Sequence, residues 1–176
     1  MPGFGSEHPS LLLIGESPGE NEDREGRPFV PTAKAGGILQ EAIDILELKP
    51  DEYRLTNVAR CRPPENRTPK PKEIAACLPY LVDEIAEYKP KVVVLLGNIP
   101  LKAVLGESGI TQWNGVVVER DGITYVPAFH PSFFNYGNGD KLEEWMQALQ
   151  KAVEIADGAE FMAADSGFEF IYPKTQ

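Results

Sequence analysis

VVVLLG (residues 92–97) is the stretch on which the fold turns. Five consecutive apolar residues, three of them β-branched, stop at a glycine. The run is too short for a core helix and does not alternate, so it predicts a strand buried on both faces. LLLIG (residues 11–15) repeats the pattern upstream. Between them, Gly36–Leu48 places Leu39, Ala42, Ile43 and Leu46 at helical spacing and is closed by Pro50. Arg54–Asn57 is a weaker strand candidate. Residues 63–71 hold four prolines and read as loop. From Pro71 to Tyr88, the stripe Ile74, Cys77, Leu78, Leu81, Ile85 and Tyr88 predicts a helix kinked at Pro79. A short helix from Pro100 to Leu105 is expected next. Gly115–Glu119 and Ile123–Phe129 flank Asp121-Gly122, a hairpin signal. Leu142, Trp145, Met146, Leu149, Val153 and Ala156 mark a last helix.

Strands alternating with helices predict a layered α/β fold with a mostly parallel sheet. Such sheets bind ligands beyond the carboxyl ends of their strands. The chemically unusual segments fall at those ends. Gly15-Glu16-Ser17-Pro18-Gly19 follows the first strand, Asn57 ends the second, Gly97-Asn98 ends the third, and His130-Pro131-Ser132 follows the last.

The 176 residues suit one domain, with 42% hydrophobic and 25% charged residues near the globular average. No apolar run approaches the roughly 20 residues that cross a bilayer, and the N-terminus lacks a secretory pattern. Two cysteines, Cys61 and Cys77, are too few for a disulfide scaffold and fit a reducing cytoplasm. The net charge of −10 opposes non-specific binding to a polyanion. Positive charge is concentrated only in residues 54–73, where Arg54, Arg60, Arg62, Arg67, Lys70 and Lys72 outnumber Glu65 and Glu73.

Each candidate residue has an ordinary reading beside its functional one. The crowded Glu16, Glu20, Glu22 and Asp23 suit a solvated acidic loop or a base that positions water. Asn57 suits a turn cap or the reading of a base edge, since an amide offers a donor and an acceptor together. Phe29 suits the core or a stacking platform. His130 suits a surface position or a catalyst held by the following proline.

Four segments in order, GESPGENEDREGRPFV (15–30), NVARCRPPENRTPKPKEIAACLPYL (57–81), PKVVVLLG (90–97) and FHPSFF (129–134), resemble the uracil-DNA glycosylase superfamily. The likeness is to its family 4 type and to phage polymerase-related domains, over about residues 10–155. It implies a three-layer α/β/α domain over residues 1–157 with a central, mostly parallel four-stranded sheet. The tail from 158 to 176 falls outside the likeness, and its FEFIY is a candidate extra strand or partner contact. It implies hydrolysis of the N-glycosidic bond of uracil flipped out of DNA. By position, Glu16 orients or activates the water and the Ser17 backbone contacts the base. Glu22 is a further pocket carboxylate, Phe29 stacks on the uracil, and Asn57 pairs with its Watson–Crick edge. Asn66 is a polar helper, and His130 stabilises charge on the departing base. Ser132 joins the substrate-binding set, and Arg62 and Arg67 are the DNA-contacting candidates. Phe29, Asn57, His130 and Glu16 are expected to share a single cleft.

The chain also departs from the pattern. The family 4 type carries a four-cysteine iron–sulfur cluster. Cys61 and Cys77 match its third and fourth ligands, but residues 1–14 contain no cysteine, so no cluster or other cofactor is expected within this chain. After His130 the first positive charge is Lys141, where relatives place a base sooner. PFVPTAKAGG is about two residues longer than the usual spacing, and ENRT (65–68) lacks the histidine with which one branch traps uracil covalently. The expected partners are uracil-containing DNA, single-stranded or duplex, and a replication or repair protein. The rival readings are a weakly active or non-catalytic nucleobase- or DNA-binding module of the same fold and a glycosylase for another deaminated base.

Overall fold

The computed structural model describes residues 1–160. The candidate strand FEFIY lies outside the described residues. Six strands form one sheet: β1 (Phe4–Gly5), β2 (Leu11–Gly15), β3 (Tyr53–Asn57), β4 (Val92–Leu96), β5 (Val118–Arg120) and β6 (Ile123–Ala128). Their spatial order is β1-β3-β2-β4-β6-β5. The four expected strands β3, β2, β4 and β6 are parallel neighbours, and β1 and β5 extend the sheet as short antiparallel edges. The sheet therefore has six strands rather than four. The two-residue β1 carries no readable alternation, and β5 is the outer arm of the Asp121-Gly122 hairpin. Asp121 and Gly122 both hold positive φ, as the tight turn requires.

The alternation of side chains along each strand builds two cores. Leu11, Leu13, Val92, Val94 and Leu96 face one side, where Leu39, Ala42 and Ile43 of α2 (Lys34–Ile45) and Trp145, Leu149 and Val153 of α6 (Leu142–Ala156) cover them. Leu12, Ile14, Val93 and Leu95 face the other. There they meet Ile74, Leu78, Leu81 and Ile85 of α3 (Pro71–Tyr88), the π-helical turn Leu101–Leu105 that follows α4 (Asn98–Pro100), and Trp113 of α5 (Ile110–Trp113). The result is the three-layer α/β/α sandwich. The expected single helix from Pro100 to Leu105 is thus a short α turn running into a π turn. In α3, Pro71 occupies the first turn, where its missing N–H costs nothing, and the Glu73 carboxylate accepts from the Lys70 N–H. The helix runs through Pro79 and stops at Lys89, which turns left-handed ahead of Pro90.

β3 lies on one side of β2 and β4 on the other, so the order reverses at β2. That reversal opens a crevice beyond the carboxyl ends of the central strands, the usual ligand site of an open parallel sheet. Among the described residues no helix is long and apolar enough to cross a membrane.

Candidate active site

At the end of β2, Gly15 is required by sterics. A Cβ there would meet the Phe29 ring at 2.3 Å and Asn57 Oδ1 at 2.6 Å. The missing side chain lets the ring and the amide close over the strand end. Phe29 itself holds φ at +52°, an uncommon state for a bulky residue, with 6% of its surface exposed. Asn57 is 5% exposed, and its amide makes no hydrogen bond to another described residue. It opens instead into a cavity of about 590 Å³ that Ser17, Phe29, Asn66, His130 and Ser132 also line.

His130 enters from the far side of the sheet. Asn114 Oδ1 accepts from the Phe129 N–H at 3.1 Å, and Trp145 Nε1 donates to the Phe129 carbonyl at 2.8 Å, so the backbone just before the imidazole is held twice. The ring lies 5.8 Å from that of Phe29, centroid to centroid. The Ser132 N–H donates to His130 Nδ1 at 3.1 Å, and the Ser132 hydroxyl lies 2.7 Å from the same atom. Nδ1 is therefore the acceptor, which leaves the proton of the neutral ring on Nε2. Packing around the ring pushes its pKa from 6.5 down to about 4. The imidazole is a neutral N–H donor near neutral pH.

Glu16 departs from the expected single cleft. It lines an adjoining cavity of about 340 Å³ with Thr68, Asn98 and Phe133. His130 and Ser132 line both spaces. Glu16 follows the last residue of β2, where Gly15 leaves the space between Phe29 and Asn57 to those two side chains. Burial raises the Glu16 pKa above its usual 4.5, which strengthens the carboxylate as a base.

The remaining candidates have partners of their own. Glu22 lines the larger cavity, but its Oε1 accepts from the Gly19 N–H at 2.8 Å and caps α1 (Glu20–Glu25). Asn66 Oδ1 accepts from Arg62 Nε at 2.7 Å. Arg67 forms a two-pronged pair with Glu73, at 2.7 and 3.0 Å, whose hydrogen bond holds the Glu73 carboxyl down at about 2. The sequence reading missed Lys34, Asn135 and Tyr136, which also line the larger cavity. For Asn135 and Tyr136, though not for Lys34, the signal lies in the polar and aromatic residues of FFNYGNGDK (133–141).

A three-layer α/β/α domain whose cavity at the sheet's reversal point is walled by an aromatic ring, an amide and an imidazole is the class that fold and site define. The chain belongs to the uracil-DNA glycosylase superfamily, whose family model matches residues 2–154. It is 45% identical over 168 aligned residues to a type-4 uracil-DNA glycosylase of Saccharolobus solfataricus, covering 87% of this chain and 76% of that protein. It is 41% identical over 143 residues to the type-4 enzyme of Sulfurisphaera tokodaii, covering 75% of this chain and 64% of that protein, so it spans less than two thirds of that relative's length. A DNA polymerase of Bacillus phage SP01 is 31% identical over 133 residues, 75% of this chain and 14% of the polymerase.

Of the four thiolates that the family 4 resemblance implies, this chain holds two, Cys61 and Cys77. Cys61 is exposed, and the half-buried Cys77 accepts at Sγ from the Arg60 N–H at 3.4 Å. Both line a cavity of about 480 Å³ beside Arg54, Arg60 and Glu84. Among the described residues no group of three or more His, Cys, Asp or Glu side chains is placed to hold a metal.

Proposed function

We propose that this chain hydrolyses the N-glycosidic bond of uracil extruded from DNA. One observation carries the reading: a single cavity at the strand ends presents a stacking ring, Phe29, a free amide, Asn57, and a neutral imidazole donor, His130. Bringing a base out of the stack requires a platform and an edge reader, and these two side chains supply them. In the reaction the C1′–N1 bond breaks with its electron pair passing to uracil. His130 Nε2–H donates a hydrogen bond to the base as its negative charge grows, and keeps its proton. Water attacks C1′ from the adjoining cavity, where the Glu16 carboxylate takes its proton. The Ser17 backbone contacts the base, Ser132 fixes the imidazole, and Asn66 completes the pocket wall. Glu22 acts through the helix it caps. Arg62 and Arg67 reach phosphate by releasing Asn66 and Glu73. The two-cysteine chain works without a cluster, in the cytoplasm, within base excision repair. Residues 1–157 form the catalytic domain.

The test is an oligonucleotide carrying one uracil, incubated with protein and then treated with alkali to reveal abasic sites. Cleavage is expected. His130→Ala is expected to slow it by about 10²- to 10³-fold. Asn57→Asp is expected to erase the preference for uracil over cytosine, because the edge reader loses its donor. The absence of cleavage at low salt favours the second reading, a binding module, which the acidity supports.

A further inference from the structure

Tyr136 is 89% exposed, the most exposed large apolar side chain among the described residues, and it lines the larger cavity at its rim. The neighbouring aromatics are differently placed. Phe133 is 37% exposed but stacks on Phe129 at 4.9 Å with the rings 14° apart, and Phe134 packs against Trp145 at 5.1 Å. Each therefore has a ring partner. Tyr136 has no ring partner among the described residues, only the Lys34 ammonium 5.5 Å from its centroid. The turn that presents it is held in place. Asn138 and Gly137 adopt positive φ, and Asn138 Nδ2 donates to the Phe133 carbonyl at 2.8 Å.

An aromatic face held in water at the rim of the cavity, with a cation at hand, matches the surfaces that grip single strands by stacking. The charge balance points the same way. Duplex binding relies on many phosphate contacts. Here Glu20 and Glu22 line the cavity, and the whole chain carries −10. We propose that Tyr136 stacks on the nucleobase next to the extruded one, with Lys34 on the intervening phosphate, and that the substrate is therefore single-stranded DNA. This deepens the glycosylase reading and rests on it for the identity of the extruded base.

The experiment measures anisotropy of a labelled single-stranded oligonucleotide with one central uracil, bound to wild-type protein, Tyr136→Ala, Tyr136→Phe and Lys34→Ala across a salt series. Cleavage is followed in parallel. Tyr136→Ala is expected to weaken binding by about 5- to 150-fold with an unchanged salt slope, and Tyr136→Phe to bind as the wild type. Lys34→Ala is expected to lower the slope by about 0.7. The same oligonucleotide annealed to its complement is expected to bind more weakly. Tyr136→Ala binding like wild type, a loss accompanied by a changed slope, or tighter binding of the duplex each overturns the proposal. Cleavage by the wild type alongside any of these results spares the glycosylase reading. Stacking without cleavage removes that reading alone.

Discussion

Gly97 holds φ at +100° and ψ at −179°, and an added methyl would lie 3.0 Å from the His130 Cβ. That backbone state is close to glycine-only, and the atom it would strike is fixed to the chain. Gly97→Ala is therefore expected to cost roughly 1–3 kcal/mol in urea unfolding and to lose activity by displacing the imidazole. Gly106 makes the control: its φ is +73°, and nothing lies within 4 Å of its added Cβ, so Gly106→Ala should strain the turn and leave cleavage intact. The two titrating side chains fix the pH profile. With a pKa of about 4, His130 stays neutral from pH 5 upward. Glu16 must be ionised to take a proton, so the rate should rise through its elevated pKa and then level. An inflection near 6.5 that disappears in His130→Asn would contradict this assignment. The sequence yielded His130 because it follows the apolar run Val126–Phe129, whereas Asn57 ends only the weaker strand candidate Arg54–Asn57. It did not yield the split between the two cavities. That depends on the close approach of Phe29 and Asn57 at Gly15, a consequence of tertiary packing.

At the level of elements, β3 is fastened to α3 by one carboxylate. Glu84 accepts from Arg54 Nε at 2.8 Å, from the Thr56 hydroxyl at 2.7 Å and from Arg60 at 2.8 Å, with 7% of its surface exposed. Thr56 precedes Asn57, and Arg60 opens the loop that carries Asn66, so the network anchors both walls of the base pocket. Glu84→Ala leaves the buried Arg54 and the half-buried Arg60 guanidinium without their carboxylate and is expected to cost about 3–5 kcal/mol, read as a shifted urea midpoint. Hydrophobic spacing gave α3 and β4 to the residue. It also placed α2 and α6, whose apolar stripes face the sheet. The Glu84 network stayed hidden. On a helix of mixed charge, a carboxylate that is 7% exposed looks like any solvated one until the strand beneath it is positioned.

For the molecule as a whole, the sheet's two margins matter as much as its crevice. β1 covers the outer rim of β3 with only two residues, Phe4 opposite Leu55 and Gly5 opposite Arg54. Gly5 approaches so closely that a Cβ would sit 2.6 Å from the Tyr53 carbonyl, and the Arg27 guanidinium lies 3.9 Å above the Phe4 ring. An uncovered strand rim offers its amides and carbonyls to any other chain. A variant lacking residues 1–9 should therefore self-associate by strand addition, visible as a concentration-dependent rise in sedimentation coefficient, whereas the full chain should sediment unchanged. Two residues at one margin thus act as a stopper against polymerisation, so a purification handle is better joined through a spacer that leaves Phe4 and Gly5 seated.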